Sequence, residues 1–226
     1  MIGVVSALDS EMALLRSRLT DERVEVHASA EYHLGKIAGV DVVLVICGVG
    51  KVNAAMHTQA LIDFYHPSAI LQSGVAGALA AELKLFDLVI GSELTYHDMQ
   101  DFVIETFDPL EKYYYADPRL VSLAESVAKE AHTGRIASGD LFVSDKETKH
   151  AIAARTSALC VEMEGAAVAH TARLNDVPFL TIRVMSDSAE EAPEMSFAAF
   201  EKEAAQLSGK MVLDMLPHVE NALRNR

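Results

Sequence analysis

The sequence predicts an α/β fold: a single three-layer domain with a central mixed, partly parallel sheet flanked by helices. Three observations predict it. Short apolar runs alternate with stretches of helical period along the chain, the pattern of strands joined by crossover helices. Two of those runs, Tyr32–Ile37 and Val40–Cys47, are split only by Ala38-Gly39. That link is too short for a helix, so an antiparallel hairpin joins the sheet. Half of the 226 residues are hydrophobic, enough for one domain over 1–226 to bury its own core without disulfides or metals.

The elements follow in order. Ile2 to Leu8 reads as a buried strand that delivers into a helix carrying Met12, Leu15 and Leu19, with Asp9 or Ser10 available as cap. After the hairpin, Gly48-Val-Gly-Lys51 opens a helix that runs to about Tyr65. Ala69–Gln72 is a strand ending in Ser73-Gly-Val-Ala-Gly77, and Leu88–Leu94 is another. Residues 100–116 show no clean period and carry Phe102, Phe107 and Tyr113 to Tyr115. Asp117-Pro118 starts a helix, with the acid as cap and proline in the first turn. Strands are expected near Arg135–Ser138, Ala158–Val161 and Phe179–Val184, with helices near 145–154 and 164–174 between them. A last amphipathic helix spans about Ser196 to Leu216.

Composition excludes several functions. Asp and Glu number 33 against 19 Lys and Arg, a formal charge of −14 with no basic tract, which argues against a nucleic-acid surface. Cys47 and Cys160 lie in apolar runs without metal-ligand spacing, so neither a disulfide framework nor a metal site is expected, and a reducing compartment is. The N-terminus lacks a basic leader and reads as a first strand, and no apolar stretch is long enough to span a membrane. These features predict a cytoplasmic protein.

In open α/β sheets, ligands bind beyond the carboxyl ends of the strands. Those ends carry Asp9 and Glu11; Gly48, Gly50 and Lys51; Ser73-Gly-Val-Ala-Gly77; His97-Asp98; Ser138-Gly-Asp140-Leu-Phe142; Glu162-Met-Glu164; and Arg183-Val-Met-Ser186-Asp187. Carboxylates and small residues recur at this one rim. Each also has a plain structural reading. Glu11 could complement the positive end of its helix. Gly48-Val-Gly-Lys51 lacks the spacing and the Ser/Thr of a phosphate loop. Ser73 to Gly77 lacks the dinucleotide fingerprint and suggests close backbone approach to a ligand or another strand. Asp187 could cap the next helix, and His97-Asp98 could be a structural pair. Glu162 and Glu164 face the same way in an extended segment, where burial is costly unless something such as Arg183 engages them.

The set Ser6-Ala-Leu-Asp-Ser-Glu11, Gly48-Val-Gly-Lys-Val52, Ser73-Gly-Val-Ala-Gly-Ala78, Ser138-Gly-Asp140, Val161-Glu-Met-Glu-Gly165 and Arg183-Val-Met-Ser-Asp187 resembles the 5′-methylthioadenosine/S-adenosylhomocysteine nucleosidases of the purine nucleoside phosphorylase superfamily. The likeness runs from Met1 to at least Phe200 and is weakest between Gln100 and Tyr115. It implies hydrolysis of the bond between adenine and ribose, through a transition state with oxocarbenium character. Two carboxyl groups with opposite tasks suit such a step. By resemblance, Asp187 protonates the imidazole-ring nitrogen of the purine, with Ser186 orienting it. Glu11 takes a proton from water, and Arg183 helps hold that water. Glu164 accepts from ribose hydroxyls while Met163 packs on the sugar, and Glu162 is either a weaker candidate for the site or a structural residue. Phe142 stacks on the base and Val143 reads its edge. Ala76 and Gly77 allow close approach, and Phe197 covers the 5′ substituent. No metal or cofactor is required by any step. The resemblance also implies a homodimer whose 5′ pocket is completed across subunits. Val75 stands where many members have Ser, and methylthioadenosine, S-adenosylhomocysteine, 5′-deoxyadenosine and aminofutalosine remain open as substrates. A phosphorylase using phosphate and a non-catalytic nucleoside-binding protein are the rival readings.

Overall fold

The sheet is organised about β5 (Ala69–Ala78), ten residues long and buried along nearly its whole length. One edge of β5 pairs in parallel with β1 (Ile2–Ser6), and β5 also pairs in parallel with β10 (Phe179–Met185). Beyond β1 come β4 (Val40–Ile46), parallel, then β3 (Ala30–Ile37) and β2 (Thr20–His27), each antiparallel to its neighbour. Beyond β10 come β6 (Leu88–Tyr96), antiparallel, then β8 (His132–Ser138) and β9 (Cys160–Glu162), both parallel. β9 then returns to β5, Gly77 facing Val161 and Ala78 facing Cys160, so this half of the sheet closes on itself. The short β7 (Tyr114–Tyr115) hangs on β6. This computed structural model describes residues 1–187 and 193–224; the side chains of 193–199 lie outside the description.

Helices cover the sheet in two layers. α7 (Pro193–Arg224) packs on α1 (Asp9–Arg16) and α4 (Pro118–Val127) and lies over β5 and β10. α2 (Lys51–Tyr65) and α6 (Gly165–Leu174) pack together against β1, β4, β8 and β10. Two short helices, α3 (Asp101–Thr106) and α5 (Lys146–Thr156), flank the rim where the strands end. The expected mixed, partly parallel sheet between helices is what forms. Its central strands are near-continuous runs of Val, Ile and Leu because both faces are covered.

Several elements differ from expectation, each for a physical reason. The hairpin is a three-stranded meander, because Thr20–His27 adds an edge strand. That strand is mostly exposed and reads Thr-Asp-Glu-Arg-Val-Glu-Val-His, so it lacks an apolar run; charged residues are how exposed edges avoid further pairing. α1 stops at Arg16 instead of reaching Leu19. β5 continues through Ser73-Gly-Val-Ala-Gly77 instead of ending before it, held by β10 as far as Met185 and Ala76. α7 runs on through Pro217 to Arg224. The cap of α4 is as expected, with the Asp117 carboxylate accepting from the Arg119 amide at 2.9 Å.

Candidate active site

The strand ends converge on one cavity of about 300 Å³. The β1–α1 turn places Glu11 in the first turn of a helix, where a carboxylate meets free amide donors. Asp9 and Ser10 do not cap this helix; Glu11 reaches back itself. Its Oε2 accepts from the amides of Ala7 at 2.8 Å and Leu8 at 3.0 Å, and its Oε1 accepts from the Val75 amide of β5 at 2.9 Å. The helix-terminus reading of Glu11 is therefore part of the truth. The remainder is that Glu11 also lines the cavity while only 2% exposed. Burial pushes its carboxyl above the ordinary range, opposed by the Arg183 guanidinium and the three amides. A carboxylate made more basic but still anchored is suited to taking a proton from water.

β9 ends in a second acidic group. Glu162 accepts from the amides of Glu164 and Gly165, the Ser138 hydroxyl and the Arg183 guanidinium. That many donors suit Glu162 to a scaffold role, although it also lines the cavity. Glu164 has its Oε1 on the Gly50 amide at 2.8 Å and its Oε2 3.7 Å from Arg183. Burial and the Glu162 charge raise the Glu164 carboxyl to about 7. The Gly48-Val-Gly50 turn thus serves the acid rather than a phosphate: both glycines have positive φ, which lets the Gly50 amide point at Glu164. Lys51 is engaged outside, at 2.6 Å from Asp98 and 3.6 Å from Asp140.

Arg183 lies behind the cavity, not on its lining. An added Cβ on Gly74 would collide with its Nη1 and come within 2.6 Å of Glu11 Oε1. The close approach expected at Ser73–Gly77 is therefore to buried side chains at Gly74, and to the cavity at Ala76 and Gly77. Arg183 Nε is buried with no partner among the described residues.

Two residues beyond β10 stands Asp187, which is 3% exposed and lines the cavity. Its Oδ1 accepts from the Ala78 amide at 2.8 Å, and its Oδ2 is 2.9 Å from the ammonium of Lys149. Ser186 does not orient this carboxylate here. Its amide donates to Ala76 O at 3.0 Å and its hydroxyl to the same oxygen at 3.4 Å, because strand pairing with β5 continues to that point. Lys149 was absent from the expected site. A signal existed, since Lys149, Ile152 and Thr156 recur at i, i+3 and i+7 on the buried face of α5.

The remaining expected residues fall into place around the carboxylates. Phe142, Val143, Met163, Glu164 and Ser186 line the cavity, and Phe142 is about half exposed at its mouth. Leu8, Val49 and Leu141 line it as well, apolar residues inside the quoted segments to which the sequence reading gives no role. Phe197 lies outside the described residues. Cys47 and Cys160 are free and buried; Asp98 accepts from Lys51 Nζ and the Asp140 amide, while His97 Nε2 is buried with no partner among the described residues. No group of His, Cys, Asp and Glu that could hold a metal occurs among the described residues.

Known proteins share this sequence pattern and fold. Residues 1–217 match the phosphorylase superfamily. A 5′-methylthioadenosine/S-adenosylhomocysteine nucleosidase of Geobacillus thermodenitrificans is 36% identical, the match covering 97% of each chain. The solved S-adenosylhomocysteine nucleosidase of Streptococcus pyogenes, in complex with 5-methylthiotubericidin, superposes with a TM-score of 0.92 at 32% identity, over 96% of each chain. That from Neisseria meningitidis, in complex with methylthio-immucillin-A, gives 0.90 at 33% identity, over 95% of this chain and 97% of the other. With this likeness over nearly its full length, the chain belongs to the 5′-methylthioadenosine/S-adenosylhomocysteine nucleosidase family within the phosphorylase superfamily.

Proposed function

We propose that residues 1–226 form one nucleoside-hydrolase domain that cleaves the N-glycosidic bond of 5′-substituted adenine nucleosides, releasing adenine and the 5′-substituted ribose. The carrying observation is that Glu11, in the first turn of α1, and Asp187, just after β10, line one cavity, with Glu164 and Met163 on the same lining. Asp187 is the acid on the purine side and Glu11 the base for water. Glu164 holds ribose hydroxyls against Met163. Phe142 and Val143 take the base, and Ala76 and Gly77 admit it closely. Arg183 is tied to Glu162 beside Glu11 and fixes the geometry in which water is held. Acid and base catalysis contribute about 10² to 10⁴-fold each; the remainder comes from acidic groups facing a cationic sugar and from fixed geometry.

The same charges disfavour a phosphorylase. Among the described residues, Lys51, Lys149 and Arg183 are each paired with a carboxylate, and Glu11 stands where an incoming phosphate anion would attack. A binding protein without catalysis has no need of both Glu11 and Asp187. Exposed Phe102, Phe107 and Tyr115, with Val52 and Met56 on α2, supply apolar surface for a homodimer that completes the 5′ pocket. No helix among the described residues is long and apolar enough to cross a membrane; with two free thiols this supports a cytoplasmic site of action. Incubating the protein with 5′-methylthioadenosine, with and without phosphate, tests the reading. Adenine and free methylthioribose at a phosphate-independent rate are expected; a sugar 1-phosphate formed only with phosphate would move the protein to the phosphorylases.

A further inference from the structure

We propose that Lys149 is a positioning residue for the general acid and the source of the proton that reaches the departing purine through Asp187. The proposal rests on the nucleosidase reading above. The Lys149 ammonium is 2.9 Å from Asp187 Oδ2, and both residues are 2–3% exposed. Asp187 lines the cavity and Lys149 does not, so the lysine stands behind the acid, on the side away from the ligand. The other oxygen of Asp187 accepts from the Ala78 amide. With an N–H donor on each oxygen, the carboxylate is arranged as an acceptor twice over, which fits an ion pair better than a carboxyl storing its own proton. A buried ion pair contributes little to stability compared with apolar packing of the same volume. A reaction that needs a proton at this point gives the pair a use.

The step balances as follows. When the glycosidic bond breaks, its electron pair stays on the purine, and the imidazole-ring nitrogen facing Asp187 becomes more basic. An N–H bond of Lys149 breaks, a proton passes to Asp187, and Asp187 passes one to the purine. Lys149 is left as a neutral amine, Asp187 is again a carboxylate, and adenine departs neutral. Across the sugar, water bonds to the ribosyl carbon and gives its proton to Glu11. After release, Glu11 returns that proton to solvent and Lys149 takes one up. The Cys160 thiol of β9 interacts with the Asp187 charge, and with Glu162 of β9 and Arg183 of β10. Burial pushes the Cys160 thiol up, so it stays neutral.

Two variants and two substrates test the proposal. One substrate is 5′-methylthioadenosine, and the other is p-nitrophenyl 5-methylthioriboside, whose leaving group departs without a proton. Lys149→Arg keeps a cation beside Asp187 but cannot release a proton, because guanidinium is not deprotonated in proteins. Its kcat ratio between adenine and nitrophenyl substrates should fall at least about 10²-fold from wild type, the lower bound for losing an acid catalyst. Should arginine not fit, Lys149→Met carries the test through its pH profile. Its ratio should be low at pH 8 and recover toward pH 5, where solvent supplies the proton in place of the lysine. A merely structural lysine would lower both substrates alike. An unchanged ratio in Lys149→Arg, or a Lys149→Met ratio that follows wild type across that pH range, would overturn the proposal. A wild-type protein that cleaves neither substrate would overturn the nucleosidase reading beneath it.

Discussion

At the residue scale, the acids at the rim divide by their partners. Glu162 accepts from four other residues and is spent on holding the loop after β9 and Arg183. Asp187 and Glu11 line the same cavity as Glu162 but accept from fewer donors among the described residues, two on Asp187 and three on Glu11. The proposed chemistry is placed on them for that reason. Asp187→Asn should nearly abolish release of adenine, since an amide cannot deliver the proton, while an activated leaving group should restore part of the turnover. Equal loss on both substrates, measured by steady-state kinetics, would remove the acid role. Glu164 makes a prediction about stability. Its carboxyl is raised in the folded protein, to about 7, by burial and by Glu162. Between its unfolded value and about pH 7 the folded state binds more protons than the unfolded one, so this group costs stability as pH rises through that window and costs nothing below it. Glu164→Gln should therefore raise Tm at pH 7, by roughly 2–4 °C per kcal/mol relieved, with the gain vanishing near pH 4. It should also weaken substrate binding, because a ribose hydroxyl loses its charged acceptor. Scanning calorimetry at both pH values checks the sign.

At the element scale, β5 carries the site because it runs further than its apolar stretch. Gly74 lies in the middle of that strand, packed against Arg183 and Glu11. A methyl group there has nowhere to go, since the atoms it meets are held by Glu162 on one side and by three amides on the other. Gly74→Ala should lose activity by more than 10²-fold and lower Tm, at the upper end of the about 1–3 kcal/mol typical of overpacking. Near-normal activity in that variant would mean that Arg183 has room to move and is not fixed by the strand. The same strand shows what sequence made legible and what it did not. Parallel strands buried on both faces announce themselves as Val-Ile-Leu runs, so β1, β4 and β10 stood out. Thr20–His27 did not, because an edge strand in contact with water needs no apolar run. The carboxylates at the rim are legible as strand-end residues, and the family pattern is what proposes roles for them. Lys149 was not, since its value comes from a contact 38 residues away in the chain and it sits on a helix whose other face is polar.

At the scale of the whole molecule, a chain of formal charge −14 gathers Glu11, Glu162, Glu164 and Asp187 about one cavity, with Arg183 and Lys149 as the buried cations that hold them. Such a site favours a sugar that becomes positive and repels an attacking anion. Exposed aromatics of α3 and β7 are the surface on which a second copy is expected. Phe102→Ser with Phe107→Ser should shift sedimentation toward monomer and raise KM through the 5′ pocket; a wild-type monomer with full activity at micromolar concentration would refute the shared pocket. The central claim is that the molecule aims water, not phosphate, at the ribosyl carbon through Glu11. Its most direct test is Glu11→Gln, with turnover and binding measured on the same preparation. Glutamine preserves size and can still accept from the Val75 amide, but it cannot take the proton. Turnover of 5′-methylthioadenosine should fall by roughly 10² to 10⁴, while a non-hydrolysable adenine nucleoside analogue should bind within about tenfold of wild type, below roughly 1.4 kcal/mol. Hydrolysis by Glu11→Gln at near the wild-type rate would contradict the account and return Glu11 to the helix terminus it also serves.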